Sequence, residues 1–415
     1  MRGFVASWFF PPLTSAEGLV TFKLLKASQY KYDVCSSISN KWSYQKDSVL
    51  ESDNINVVRI ETEEFDEWIE KSVAFYEKNK NQYKFIMTRS MPPESHKVGL
   101  EIKKKNPGVF WVASFGDPLS WNPYEVNAYV KFGIPVKLSD QLMKEPRTLL
   151  NLPSKVITPG LKIMKEMMIL EKQILEQADM FIFPTIDQCK YTLGDDFEKY
   201  KDKCLIIPHT YDLDMFGDEK VRDDDKYTFT FIGHADAVRN PICFVHALKI
   251  IKDFNPELAD KIRLRFVGNI PQEIKDVSYA FFLHNNVIVD KPVTYKESLK
   301  IMKDADCLLH IDGFFGFVPN GSIFFASKVA DYMGARKPIL GATSEGSPVH
   351  KILKASNNLV SMPWDNYDIA KNMVEIATGK LKVDYTYYEN YNVKNVCNEF
   401  DKAIQTKKGN IQEVL

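Results

Sequence analysis

The stretch Tyr227-Thr228-Phe229-Thr230-Phe231-Ile232-Gly233-His234-Ala235-Asp236-Ala237-Val238-Arg239-Asn240-Pro241 carries the fold in miniature. Its first six residues are β-branched or aromatic and read as a buried strand. The strand runs into Gly233, a short loop follows, and Pro241 suits the first turn of a helix. Phe244, Leu248, Ile251 and Phe254 then line one side of a helix over residues 241–254. Helix amides exposed after a glycine turn form an anion site. Arg239, at the mouth of that helix, is placed for a bidentate phosphate contact, and His234 for a further hydrogen bond. The same pattern fits an ordinary strand-to-helix turn with a surface arginine.

The alternation continues outward from this stretch. Towards the C-terminus, strands are expected at 263–267, 287–289, 307–311 and 338–340, with helices at 296–304 and 325–333. Towards the N-terminus, strand candidates are 3–10, 32–35, 57–60, 85–88, 109–113, 178–184 and 204–208. Residues 11–18 read as a loop, 19–28 as the start of a helix and 64–79 as an amphipathic helix; 139–175 is irregular and then strongly helical. This is the rhythm of parallel sheets covered by helices, an α/β class. Pro208 and the acidic stretch to Lys226 form the best boundary, with Asp223-Asp224-Asp225 read as solvated charge in a linker. The expected organisation is a Rossmann-like domain over 1–210, a second over 211–378, and a polar helical tail over 379–415 that packs back on the first. Two doubly wound domains in series predict a central cleft, with ligands at the carboxyl ends of the strands.

Composition agrees. The chain has 415 residues, 45% hydrophobic and 26% charged, which suits two globular domains. A net charge of -1 argues against a nucleic-acid binder, which needs a broad basic surface. The run Lys103-Lys104-Lys105 reads either as a solvated helix end or as a contact with anionic lipid headgroups. The six cysteines are scattered, without CxxC spacing, and suit reduced thiols in a cytoplasm. The apolar start at 1–12 is closed by Pro11-Pro12 and fits a buried strand better than a signal peptide. No stretch reaches the roughly 20 apolar residues of a membrane span, so membrane association is expected to be peripheral, at most at the inner face.

Two further stretches in the C-terminal half can carry chemistry. Residues 312–321, DGFFGFVPNG, follow a buried strand, and their glycines permit close approach of backbone to a ligand. A helix beginning near Ile323 would aim its amides the same way. Phe314, Phe315 and Phe317 wall off a sugar or a base, or else are core aromatics. Residues 327–338 read as helix, turn and strand, with Asp331 one turn beyond Lys328. Lys328 suits a phosphate and Asp331 a ribose hydroxyl; a surface ion pair is the plain alternative.

In the N-terminal half, Glu17-Gly18 lies near the start of the second element. Asp117, after the strand at 109–113, is a candidate base or hydroxyl orienter, or a helix N-cap ahead of Pro118. Arg89 and His96 flank Pro92-Pro93 on a similar edge. His209 reads as structural. The histidines form no HxH or HExxH cluster, and no metal is expected. A G-x-S-x-G elbow and a Walker loop are absent from the sequence.

Together these stretches resemble the retaining glycosyltransferase family 4, of the two-Rossmann-domain GT-B type. Trp8-Phe9-Phe10-Pro11-Pro12 with Glu17-Gly18 is similar to the family's glycine-bearing first loop, and residues 111–118 to the segment ending in an acceptor-facing aspartate. Ile207-Pro208-His209-Thr210-Tyr211-Asp212 with Phe216 resembles the crossing into the second domain, and Arg265-Phe266-Val267-Gly268 the next strand. The family's basic pair maps onto His234, where arginine is usual, and Arg239, where lysine is usual. Of its two spaced glutamates, Asp331 holds the second place and Ile323 the first. Lys328-Val329-Ala330-Asp331-Tyr332-Met333 matches a branch with lysine before an acid-tyrosine pair.

The resemblance implies transfer of a hexose-type sugar from a nucleotide diphosphate sugar, UDP- or GDP-linked, with retention and no obligatory metal or other cofactor. It implies Gly233, His234, Arg239, Gly316, Asn320, Gly321, Ser322, Lys328 and Asp331 on the donor side. Glu17, Gly18, Arg89 and Asp117 fall on the acceptor side, with Arg239, Lys328 and Asp117 nearest the chemistry. A glycan, lipid-linked or other glycoconjugate acceptor in bacterial surface polysaccharide synthesis is the expected setting. A nucleotide-sugar epimerase of the same architecture and a non-catalytic partner subunit are the rival readings, the latter because of His234 and Ile323.

Overall fold

In the computed structural model, which describes residues 1–13, 15–38, 50–217 and 225–409, Arg2–Ala6 (β1) pairs in parallel with Lys31–Ser37 (β2). Ile55–Ile60 (β3) extends that flank. On the other flank follow Phe85–Arg89 (β4), Trp111–Ser114 (β5), Met180–Phe183 (β6) and Cys204–Ile206 (β7). The order is β3-β2-β1-β4-β5-β6-β7, all parallel. A second parallel sheet is built from Tyr227–Ile232 (β8), Ile262–Val267 (β9), Val287–Asp290 (β10), Cys307–Ile311 (β11), Ile339–Ala342 (β12) and Leu359–Ser361 (β13). Its order is β10-β9-β8-β11-β12-β13. Each sheet reverses its winding once, between β1 and β4 and between β8 and β11. At such a switch point the connections leave in opposite directions and open a crevice at the carboxyl ends of the strands. The expected α/β class of two doubly wound Rossmann-like sheets is what the chain forms.

The chain divides into two compact units after Pro208, and the first regains it from Val396. Helix Val393–Thr406 is tied there by Asp401, whose carboxylate accepts the Ser28 hydroxyl at 2.6 Å and the Gln29 amide at 2.9 Å. Trp8, Trp68 and Trp111 are fully buried in the first core; Phe229, Phe244 and Phe266 are fully buried in the second. All six cysteines are buried free thiols, and no helix among the described residues is long and apolar enough to cross a membrane.

Several boundaries differ from the expectation. The first strand ends at Ala6 rather than residue 10. Trp8, Phe9 and Phe10 are buried, but as core-filling loop residues, and apolar content alone does not separate the two roles. The next helix is Ala16–Ala27, because the Ser15 hydroxyl caps it by accepting the Gly18 amide at 3.0 Å. Gly18 therefore lies in the first helical turn. No helix begins at Ile323; residues 322–326 are non-helical and the helix is Ser327–Gly334. Asp117 caps no helix either: the next one starts at Pro123 and is capped by Asn122. Asp223 and Asp224 of the acidic run lie outside the described residues.

Candidate functional site

In the second unit the site residues gather at the switch point. Gly233 directly follows β8 with φ +139°, a backbone suited to glycine. A Cβ there would collide with Lys328 Nζ, so the missing side chain is what admits the lysine. Lys328 comes from the first turn of Ser327–Gly334, and its Nζ lies 5.1 Å from the centre of the Phe231 ring. Burial first, and the Arg239 charge second, push its amine down to about 8, against the pull of Asp236. Lys328 and Arg239 are both half-buried, and the arginine charge reaches the lysine, so together they attract an anion.

Asp236 organises the loop between β8 and helix Ile242–Phe254. Its Oδ1 accepts the amides of Val238 at 2.8 Å and Arg239 at 2.9 Å, and its Oδ2 pairs with Arg239 Nη2 at 3.0 Å. The aspartate thus fixes the arginine at the mouth of the helix. Its own carboxyl is held below the usual range by those hydrogen bonds and that charge, which outweigh its burial. His234 is exposed on the same loop.

The loop after β11 is anchored from below. Asp312 is buried; its Oδ1 lies 2.9 Å from His310 Nε2 and its Oδ2 accepts the Ser347 hydroxyl at 2.7 Å. Ser347 also caps helix Pro348–Ala355. Further along, Asn320 adopts φ +53° and donates to the Gly346 carbonyl at 3.0 Å. The Phe315 amide donates to the Gly321 carbonyl at 2.8 Å, which closes the turn. Ser322 and Ile323 are buried, Gly316 is exposed, and Phe314 is exposed with its ring edge-on to Trp364 at 5.2 Å. Asp331 is buried and accepts the Tyr295 hydroxyl at 3.0 Å. It sits a helical turn beyond Lys328 on helix Ser327–Gly334.

In the first unit, Glu17 from the start of helix Ala16–Ala27, Arg89 from the end of β4 and Asp117 from the loop after β5 come together. Arg89, at the end of β4, donates through Nε to Glu17 Oε2 at 2.5 Å and through Nη1 to the Ser114 hydroxyl at 2.9 Å. Its Nη2 is buried with no hydrogen-bond partner among the described residues. The Glu17 carboxylate lies against Gly116, where a Cβ would overlap it. Burial raises the Glu17 carboxyl to about 7; Arg89 opposes this and Asp117 adds to it. Gly18 is packed under residues 9 and 10. His96 is buried deeper: its Nδ1 lies 2.7 Å from Thr88 Oγ1, and burial, then Arg89, press it down to about 3. It is a neutral core residue. His209, also buried, stacks on Phe325 at 5.5 Å.

The spacing of residues 233–241 and 327–333 shows neither Asp236, Tyr295, His310 nor Ser347 as a site residue. Asp236 had a local signal, an aspartate three residues before Arg239. Ser347 ahead of Pro348 is a readable helix start. Tyr295 and Asp331 are 36 residues apart, and nothing in the chain's pattern joins them.

No family model and no curated protein matches the sequence. Solved structures do. Sucrose-phosphate synthase from Thermosynechococcus elongatus aligns over 98% of this chain and 95% of its own, with a TM-score of 0.59 at 14% identity. An α,α-trehalose-phosphate synthase (UDP-forming) from Burkholderia xenovorans, in complex with glucose-6-phosphate, aligns over 98% and 100% with a TM-score of 0.61 at 8% identity. The lipopolysaccharide outer core galactosyltransferase WaaB aligns over 98% and 99% with a TM-score of 0.57 at 10% identity. The chain has the two-Rossmann-domain α/β plan of GT-B proteins, over nearly its whole length.

Proposed function

We propose that the protein is a retaining glycosyltransferase that moves a sugar from a nucleotide diphosphate sugar, UDP- or GDP-linked, to a glycan, lipid-linked or other glycoconjugate acceptor. The observation that carries this is the Lys328 amine seated over Gly233 beside Arg239, at the switch point of the second sheet. Of the related structures, one is named a galactosyltransferase, one a sucrose-phosphate synthase and one a UDP-forming trehalose-phosphate synthase, and another is of a protein bound with UDP-2-fluoro glucose. The setting we infer is surface polysaccharide synthesis on the cytoplasmic side of a bacterial membrane.

In this reading Arg239, Lys328 and the amides at the start of Ile242–Phe254 receive the diphosphate. Charge grows on the leaving diphosphate in the transition state, so preorganised cations there lower the barrier and do more than bind. Asp331 orients ribose. Backbone groups of residues 312–322 face the sugar, in place of the acid that Ile323 does not supply. On the acceptor side, Asp117 orients the attacking hydroxyl, and Glu17 and Arg89 hold neighbouring hydroxyls. Retention follows from attack on the face the diphosphate leaves, with a donor phosphate oxygen taking the acceptor proton. The two-carboxylate scheme of retaining hydrolases is not used.

The test is thermal stabilisation by UDP-, GDP-, dTDP- and ADP-sugars, with wild type and Arg239→Ala. One nucleotide should raise the melting temperature of wild type, by linkage. Arg239→Ala should melt at the wild-type temperature without ligand, lose the shift, and lose transfer by orders of magnitude. A flat response across the panel, or full turnover in Arg239→Ala, overturns the reading.

A further inference from the structure

The loop over residues 115–122, between β5 and the short helix that starts at Pro123, carries Asp117 and is fastened from several sides. The Gly116 amide donates to Ser90 Oγ at 3.2 Å, and the Gly116 carbonyl accepts Gln188 Nε2 at 3.0 Å. Further on, the Tyr191 hydroxyl donates to the Trp121 carbonyl at 2.9 Å. Trp121 itself adopts φ +53°. A bulky side chain rarely holds that left-handed backbone unless its surroundings enforce it.

One of the fastenings is a buried acid. Glu171 is 6% exposed and belongs to helix Pro159–Gln177, whose Leu170, Ile174 and Leu175 enter the core. Its Oε2 accepts the Ser120 amide at 3.0 Å, its Oε1 accepts the Ser120 hydroxyl, and the Leu119 amide also bonds to it. Leu119 is buried as well, so the loop both bonds the carboxyl and covers it. Among the described residues, the titratable group set beside it is Tyr191 of helix Ile186–Leu193, whose phenol is pushed up by burial and then by Glu171. Burial, set against the hydrogen bonds from the loop, raises the Glu171 carboxyl to about 7.

We propose that Glu171 latches residues 115–122 and so acts, through Ser120, as a positioning residue for Asp117. Protonated, the carboxyl keeps both Ser120 contacts, its carbonyl oxygen taking the amide and its O–H meeting the hydroxyl, and leaves no charge in the core. Ionised, it is stabilised by water, and water reaches it when the loop lifts. The strain at Trp121 favours the same release. With the loop open the carboxyl titrates near its ordinary 4.5, so opening increases with pH from there and levels off above about 7. Glu17, which lies against Gly116 with Arg89 and Asp117 beside it, holds the other end of the loop and is likewise raised. The effect on transfer rests on the reading that Asp117 faces the acceptor; the latch itself does not.

The test is hydrogen exchange of the full chain, read by mass spectrometry at residues 117–122 and corrected for the intrinsic exchange rate. Wild-type protection there should fall by about thirtyfold or more between about pH 5 and about pH 8, and by more than in β4 and β5. Glu171→Gln keeps an acceptor for the Ser120 amide but cannot ionise. It should hold the protection seen at low pH and cut that fall by about tenfold or more. Glu171→Ala should lose protection at both ends of the range, because the Ser120 amide is left without its acceptor. A wild-type loop whose protection is independent of pH, a Glu171→Gln loop with the wild-type fall, or a fall shared equally by β4 and β5 overturns the proposal. Stabilisation by UDP- and GDP-sugars should be the same in Glu171→Gln and wild type. A flat response to them in both proteins overturns the donor reading and not the latch, which the exchange decides.

Discussion

At the scale of single residues, Gly233 is the position that the anion site depends on most. Gly233→Ala places a methyl group on a backbone with φ +139° and against Lys328 Nζ. Strain of this kind costs roughly 1–3 kcal/mol. Urea denaturation should show that loss, and calorimetry with the stabilising nucleotide should show weaker binding because the amine is displaced. Glu17 makes a different prediction. Its carboxyl is raised from an ordinary 4.5 to about 7, so between those values the folded chain holds a proton that the unfolded chain has released. The stability this contributes is complete below about pH 4.5 and is lost as pH rises through about 7. Glu171, buried under the Ser120 amide and hydroxyl and also raised to about 7, acts in the same window. Glu17→Gln should therefore flatten part of the fall in stability across that window, and Glu171→Gln another part. An unchanged slope in Glu17→Gln would show that its carboxyl titrates normally.

At the scale of elements, the helix after β12 does two jobs through one hydroxyl. Ser347 accepts the His350 amide at 3.2 Å as a cap and donates to Asp312 at 2.7 Å. Ser347→Ala should cost about 1–2 kcal/mol in denaturant unfolding, the range for losing a cap and a buried hydrogen bond. Because Asp312 opens the loop over residues 312–322, nucleotide-sugar affinity should fall with it, while affinity for the bare nucleotide changes less. Equal losses for both ligands would place Ser347 outside sugar positioning.

At the scale of the molecule, the last helix belongs to the first unit although it follows the second in sequence. Asp401 is the anchor, and its removal leaves the Ser28 hydroxyl and the Gln29 amide without their acceptor. Asp401→Ala should destabilise the first unit by about 2–4 kcal/mol. Hydrogen exchange should rise in β1 to β3 and stay unchanged in β8 to β13, and the nucleotide should still bind. Faster exchange in both sheets would show that the two units unfold as one.

Local pattern was enough to expose the alternation of strands and helices, since each is written in the period of its own apolar residues. It placed β8 at 227–232 and the following helix to within a residue. It also singled out Gly233, Arg239 and Lys328, because glycine turns and cations at helix starts have short-range signatures. Pattern failed where apolar residues fill a core without joining a ladder, as at Trp8 to Phe10, and where a capping hydroxyl moved a helix start to Ala16. Strand order, and with it the two switch points, depends on pairings between residues far apart in the chain. The same holds for Glu17 against Arg89 and Gly116, for Tyr295 on Asp331, and for the shift of Lys328 to about 8. A side chain's charge state is set by what surrounds it in space, and folding alone decides those neighbours.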